Sequence, residues 1–158
     1  MFKFYDIDED YIKYLQTIDS RIPNMHYAKN NKFVCGVVLD IHNTKFYAPI
    51  SHITKPFRTS FLIYKDNQPI SSIRFSFMLP AYDDVLKGKS FKELALIDKY
   101  YANIVYNEYI YCLKHLEQIQ KKAESVYKIG CNKEHRLNHI CCDFKKLEET
   151  YLNYKPNK

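Results

Sequence analysis

Hydrophobic positions change period along this chain, and the changes mark its elements. Phe2–Asp6 alternates apolar and polar residues, which predicts a short opening strand. Asp8-Glu9-Asp10 then precedes Tyr11, Leu15 and Ile18 at helical spacing, so the acids cap a short helix at its positive end. Pro23-Asn24 is read as the stop. Lys32–Ile41 carries FVCGVVLDI, a buried strand, and His42-Asn43 begins a tight turn into a partner strand, Lys45–Ile50. Phe61–Tyr64 and Ile70–Leu79 form a second hairpin around Lys65-Asp66-Asn67-Gln68, with Ile73, Phe75 and Phe77 alternating with Arg74 and Ser76. Strands this close in sequence favour antiparallel pairing.

The second half is helical. Ser90-x-x-Glu93 is a capping box opening a stretch predicted to run to Tyr127, with Gly130 beyond it as the stop. Val105, Tyr109, Cys112, Leu116, Ile119, Ala123 and Val126 recur four and three apart and make one apolar stripe. Asn103 and Asn107 are the candidate breaks within it. A last helix is expected over Phe144–Tyr151, behind an Asp143 cap. With no linker, repeat or low-complexity segment, the expectation is one domain over residues 1–158, of α+β class.

Composition narrows the class. The chain is 46% hydrophobic, with 15 Tyr, 10 Phe, no Trp and three Gly, a globular balance. It has no apolar run of about 18 residues to span a membrane. The start, MFKFYDIDEDY, turns acidic at once and lacks the order of a secretory signal. Five irregularly spaced cysteines read as reduced thiols, and the expected location is cytoplasmic. Glycine-rich phosphate loops, GxSxG and HExxH are missing from the sequence, so no cofactor is implied.

Net charge is +6, and its placement matters more than its size. Residues 41–80 carry five basic and one acidic side chain, and residues 111–158 carry ten and six. The rest of the chain is slightly acidic. Both basic stretches also contain Tyr, Phe and His. Cations track phosphates and aromatic faces stack bases, so the combination points to single-stranded nucleic acid.

The segment richest in chemistry is Tyr47–Pro56, a strand edge followed by Ser51-His52-Ile53-Thr54-Lys55. Cleavage of RNA by its own 2′-OH needs a group to take a proton, a group to return one, and a cation for the crowded phosphate. His52 can exchange protons near neutral pH, Lys55 can stabilise phosphate charge, and Ser51 and Thr54 can hydrogen-bond it. Arg58 extends the basic loop. A polar surface turn with an idle His is the plain alternative. Cys131, His135, His139 and Cys142 form a rival, zinc-like set, but without a CxxC pair. A basic RNA-facing loop is the preferred reading there, with Lys133, Arg136 and His139 as contacts; Lys114, His115, Lys121, Lys122, Lys145 and Lys146 extend the RNA-binding set, and no metal is expected.

The opening KFYDIDEDYIKYLQTIDSRIPN, then FVCGVVLDI, KFYAPIS, RFSFMLP and the closing CCDFKKLEETYLNY, resemble the toxins of type III toxin–antitoxin systems, the ToxN/AbiQ/CptN family. That resemblance implies a compact, barrel-like antiparallel sheet with helices, related to the MazF/Kid toxin fold. It implies an endoribonuclease toxin that cuts A-rich messenger RNA and leaves 2′,3′-cyclic phosphate ends. Its partner would be a repeated RNA pseudoknot, processed by the toxin and bound in basic grooves. A closed protein–RNA assembly of several copies and a role in phage abortive infection are implied too. Tyr11 and Lys32 match family site residues, and Tyr27 matches a nearby tyrosine after a one-residue slip. Where the family follows its Ala-Pro strand with a hydroxyl pair, a proline and a lysine, this chain inserts His52 and puts Pro56 beyond Lys55. The choice between Ser51 and Thr54 stays open, and His52 rests on chemistry alone. A non-catalytic RNA-binding module is the alternative. A DNA-binding regulator fits less well, because no helix-turn-helix pattern is present.

Overall fold

The computed structural model describes residues 1–156. Its strands are β1 (Lys3–Ile7), β2 (Val34–Ile41), β3 (Thr44–Ser51), β4 (Ser60–Lys65), β5 (Gln68–Arg74), β6 (Leu79–Pro80) and β7 (Leu86–Gly88). The helices are α1 (Glu9–Ile18), α2 (Phe91–Ile97), α3 (Lys99–Lys114), α4 (Leu116–Cys131) and α5 (Phe144–Thr150). The strands make one antiparallel sheet in the order β4-β5-β3-β2-β1-β7, with β6 also on β3. The mixed class and antiparallel sheet agree with the sequence, and the sheet path ends at β4 and β7.

Both hairpin turns form where the turn residues put them. His42 and Asn43 have φ of 54° and 60°, and Asp66 and Asn67 have 51° and 63°. Paired left-handed residues twist a two-residue turn with its strands, and Asn and Asp tolerate that region best. The Asp8 carboxylate accepts the Tyr11 N–H at 3.0 Å, and Asp143 accepts the Lys146 N–H at 3.2 Å, so both predicted caps are made.

Three expectations about elements are corrected. Helix α1 stops at Ile18, before Pro23, because Asp19 turns out of the helix to serve other partners. Its carboxylate takes three hydrogen bonds from Arg21 and one from the Asp143 N–H at 2.6 Å. The strand expected over Ile70–Leu79 ends at Arg74, and Phe75–Phe77 form a 3-10 turn before β6. The long helix breaks at Asp98 and His115, not at Asn103 or Asn107. Asp98 caps α3 by accepting the Tyr101 N–H at 3.0 Å. The His115 Nδ1–H meets the freed Tyr111 carbonyl at 2.7 Å, and its ring stacks on Tyr111 at 4.0 Å. Each break thus has a side chain to satisfy the backbone it exposes.

The apolar stripe survives the break. Val105, Cys112, Ile119, Ala123 and Val126 are all fully buried in one cluster with the sheet. Gly130 lies inside α4 rather than after it. A Cβ there would run into the Phe144 ring, itself fully buried, so the glycine lets α5 approach α4. Gly130→Ala should therefore destabilise the fold by about 1–3 kcal/mol despite alanine's better helix propensity, because overpacking exceeds the propensity gain. Urea titration measures this; a variant as stable as the parent would show that Phe144 can move aside.

Candidate active site

The loop between β3 and β4 is tied down at both ends. At its start the Ser51 Oγ accepts the Ile53 N–H at 3.2 Å, and the Ser72 hydroxyl donates to the Ile53 carbonyl at 2.7 Å. At its end Ser60 Oγ and the Phe57 backbone bond each other. Between these anchors His52, Thr54, Lys55 and Arg58 are exposed. Phe57 forms a platform: the Arg74 guanidinium lies 5.0 Å from its ring centre and the Lys55 ammonium 5.8 Å. Arg74 also stacks on Phe77, its Nε is buried without a partner, and burial lowers its pKa from the ordinary guanidinium value.

A second loop faces the first. The Lys32 N–H donates to the Met25 carbonyl at 2.9 Å and closes the 25–32 segment; Tyr27 is held by the Asn31 side chain through its N–H. The Lys32 ammonium lies 5.9 Å from the centre of the Tyr27 ring. Beyond Lys32, the Ile50 N–H donates to the Phe33 carbonyl, so both loops spring from one ladder.

These loops and α3 enclose a cavity of about 220 Å³. Tyr27, Lys32 and His52 line it from the loops, Phe33 and Ile50 from the sheet, and Tyr101 and Glu108 from α3. The lining is graded. Tyr27 is 49% exposed, whereas Phe33, Ile50 and Glu108 are buried. Burial pushes the Glu108 carboxyl up to about 7. The Ser71 hydroxyl opposes that shift, although neither it nor Glu108 Oε2 reaches a partner in hydrogen-bonding geometry. Burial first, and the Glu108 charge next, raise the Tyr101 phenol to about 12, so it stays a neutral donor. Imidazole, ammonium, aromatic faces and a proton-holding carboxyl thus share one recess.

Residues 3–152 match the toxin family described as ToxN of type III toxin–antitoxin systems. The chain belongs to this family. Endoribonuclease ToxN of Bacillus thuringiensis subsp. kurstaki is 28% identical, over 97% of this chain and 84% of its own. Endoribonuclease ToxN of Pectobacterium atrosepticum is 23% identical, over 96% and 93%. Among solved structures, a type III toxin inhibited by a non-coding RNA pseudoknot superposes with a TM-score of 0.89 at 26% identity, covering 99% of both chains. AbiQ, a lactococcal anti-phage endoribonuclease, shares the fold, with a TM-score of 0.83 at 22% identity over 98% of both.

Within this ToxN-family chain, Tyr27, Lys32 and His52 come together, with Lys55 and Thr54 on the loop that carries His52. Tyr11 does not line this recess. It is fully buried, its hydroxyl donates to the Pro80 carbonyl at 2.5 Å, and its ring packs edge-on to Tyr82 and Tyr154. Burial pushes its phenol far above the ordinary range, and the hydroxyl ties α1 to β6. Ser51 is 6% exposed and its oxygen shapes the turn, which leaves Thr54 as the exposed hydroxyl of the two.

The second basic stretch is spread over several surfaces. Lys133 and Lys145 line a cleft of about 100 Å³ together with Arg21, a cation the sequence reading did not single out. Arg136 and Lys146 are exposed, as is Lys114 beside the half-buried His115; Lys121 pairs with Glu117 at 3.0 Å, and Lys122 is half-buried. The zinc-like set does not assemble: Cys141 and Cys142 are buried, while His135 Nδ1 accepts the Leu137 N–H. Among the described residues no three His, Cys, Asp or Glu side chains gather as a metal site. Glu108 was missed but had a signal, since it falls three residues after Val105 and four before Cys112, on the apolar stripe.

Tyr11→Phe should cost about 1–3 kcal/mol in urea titration, because it leaves the buried Pro80 carbonyl without its donor. A variant of undiminished stability would show that the Pro80 carbonyl does not depend on this donor.

Proposed function

We propose that this chain is an endoribonuclease toxin that cuts single-stranded RNA through the substrate's own 2′-OH, leaving 2′,3′-cyclic phosphate ends, and that it prefers A-rich sites. The observation that carries this reading is the recess that Lys32, His52 and Tyr27 share, next to a pinned loop bearing Lys55. In the reaction His52 exchanges the protons of the 2′-OH and the leaving 5′-oxygen. Lys55 and Lys32 oppose the charge that builds on the phosphate, and Thr54 donates a hydrogen bond to it. The nucleophile belongs to the substrate, so the mechanism requires no metal. Arg58 and Arg74 extend the positive rim along which the strand runs.

The cleft of Arg21, Lys133 and Lys145, with exposed Arg136 and Lys146 nearby in sequence, is the surface we assign to the antitoxin. Its partner is a repeated RNA pseudoknot that the toxin processes and that holds it inactive in a closed assembly of several copies. The setting is the cytoplasm and the role is defence against phage. Among the described residues no helix is long and apolar enough to cross a membrane. The named activity of the ToxN relatives supports the reading, and so does the pseudoknot bound by the structural relative.

Two outcomes check it. A folded Lys55→Ala protein should cleave RNA about 10²–10³-fold more slowly, the scale of losing one transition-state charge contact, and a 2′-deoxy nucleotide at the cut position should block cleavage. Cleavage of the deoxy substrate would refute the mechanism. Affinity for the pseudoknot should fall steeply with salt, and neutralising Lys133, Lys145 and Lys146 should flatten the log–log slope by somewhat under one unit per lost phosphate contact. An unchanged slope would place the RNA on another face.

A further inference from the structure

We infer that the cavity behind Lys32 and His52 receives one base of the RNA, and that Glu108 reads the hydrogen-bonding edge of that base. The inference rests on the RNA-cleaving reading above and adds a specificity-determining residue to it.

The shape of the recess supports a base. At about 220 Å³ it is smaller than a drug-sized cleft, which runs to about 300–1,000 Å³, and suits a single planar heterocycle. Its inner lining, Phe33 and Ile50, is apolar; Tyr27 and Tyr101 supply rings for stacking, and the rim carries Lys32 and His52. Bases of single-stranded RNA are held this way, splayed out, stacked on aromatic side chains and hydrogen-bonded along an edge, with the phosphates left outside among the cations.

Glu108 supplies the edge contact. It is 1% exposed, and its Oε2 and the Ser71 Oγ that acts on the carboxyl are both buried without a partner in hydrogen-bonding geometry. A buried carboxyl that lines a recess and lacks a partner is the arrangement expected where the ligand completes the bond. The groups around it do not neutralise it: Tyr101 and Cys112 on its own helix and Ser71 on β5 are uncharged, and the Lys32, His52 and Tyr27 side chains lie on the cavity's other walls.

Protonation then sets what Glu108 can read. With its carboxyl held at about 7 by burial, both forms are populated near neutral pH. The neutral acid offers one O–H donor beside one acceptor oxygen, the same pattern as a glutamine amide. That pattern meets adenine's amine and neighbouring ring nitrogen with two hydrogen bonds, and cytosine, uracil and guanine also carry a donor beside an acceptor, so the neutral acid discriminates little among the four. The carboxylate has acceptors only. Of the four bases, guanine alone offers it two adjacent N–H donors. Raising the pH through about 7 therefore shifts preference at this one position toward guanine.

The test uses the full-length toxin and RNAs differing at a single nucleotide near the cut, mixed in one tube so that effects on the chemical step cancel. The wild-type ratio of guanine to adenine cleavage should rise about tenfold between pH 6 and pH 8.5, the scale of one well-made base contact. Glu108→Gln should keep the guanine-to-adenine ratio level between the two pH values, and Glu108→Leu should bring the four bases within about threefold. If the wild-type ratios stay level with pH, or the base preference survives Glu108→Leu, the inference is wrong. If the wild-type protein cuts none of these RNAs, the endoribonuclease reading fails instead.

Discussion

The backbone of β3 is the constraint on which the rest of this structure hangs. One edge pairs with β2 from Thr44 to Pro49. The other edge is shared, with Phe46 and Tyr47 on β6 and Ile50 and Ser51 on β5. A central strand can ill afford a proline, which has no N–H for the ladder. Here the Ile50 N–H points to the β2 side, so the Pro49 nitrogen faces the opposite edge, in the gap between the two partners. The strand therefore changes partners without a missing hydrogen bond. Both halves of the sheet, and the Ser51–Arg58 loop at its end, follow from that switch. Gly36 belongs to the same device, since any side chain there would strike the Tyr47 ring across the ladder.

The recess inherits its polarity from this arrangement. Ile50 and Phe33 come from paired backbone and are fixed in the apolar interior. Lys32 and His52 come just outside that pairing and are free to reach the rim. Lys32 directly precedes Phe33, and only Ser51 stands between Ile50 and His52, so floor and rim are neighbours in sequence on both sides. Helix α3 closes the third wall and carries a carboxyl inward among apolar neighbours, at a position where a leucine would have served packing better.

Local physics was legible in the sequence, and long-range pairing was not. The Asp8 and Asp143 caps, the His42-Asn43 and Asp66-Asn67 turns and the α3–α4 stripe depend on residues within one or two turns of each other. They were read correctly for that reason. Tyr11 shows the opposite case: its place on the apolar face of α1 was legible, but the partner of its hydroxyl, the Pro80 carbonyl 69 residues away, was not. Asp19 likewise ends α1 early because it is needed by Asp143. Within the site, the Ser51–Lys55 loop was visible as chemistry, and Lys32 only through the family resemblance. Tyr101 and Glu108 were hidden within an ordinary-looking helix, and Arg74 within a strand pattern.

The tyrosine ring cluster that joins the two ends of the chain also bears on synthesis. Tyr14 donates to the Thr150 carbonyl across 136 residues, and Tyr11 packs against Tyr154. Contacts of such high sequence separation form late, since the whole intervening chain must first be made and closed. In a nascent chain α1 therefore stays uncovered until Thr150 and Tyr154 have been translated. Termination before Phe144 removes Phe144, Leu147 and Tyr151 from the core, so the packing that holds the recess is unfinished until those residues have been made.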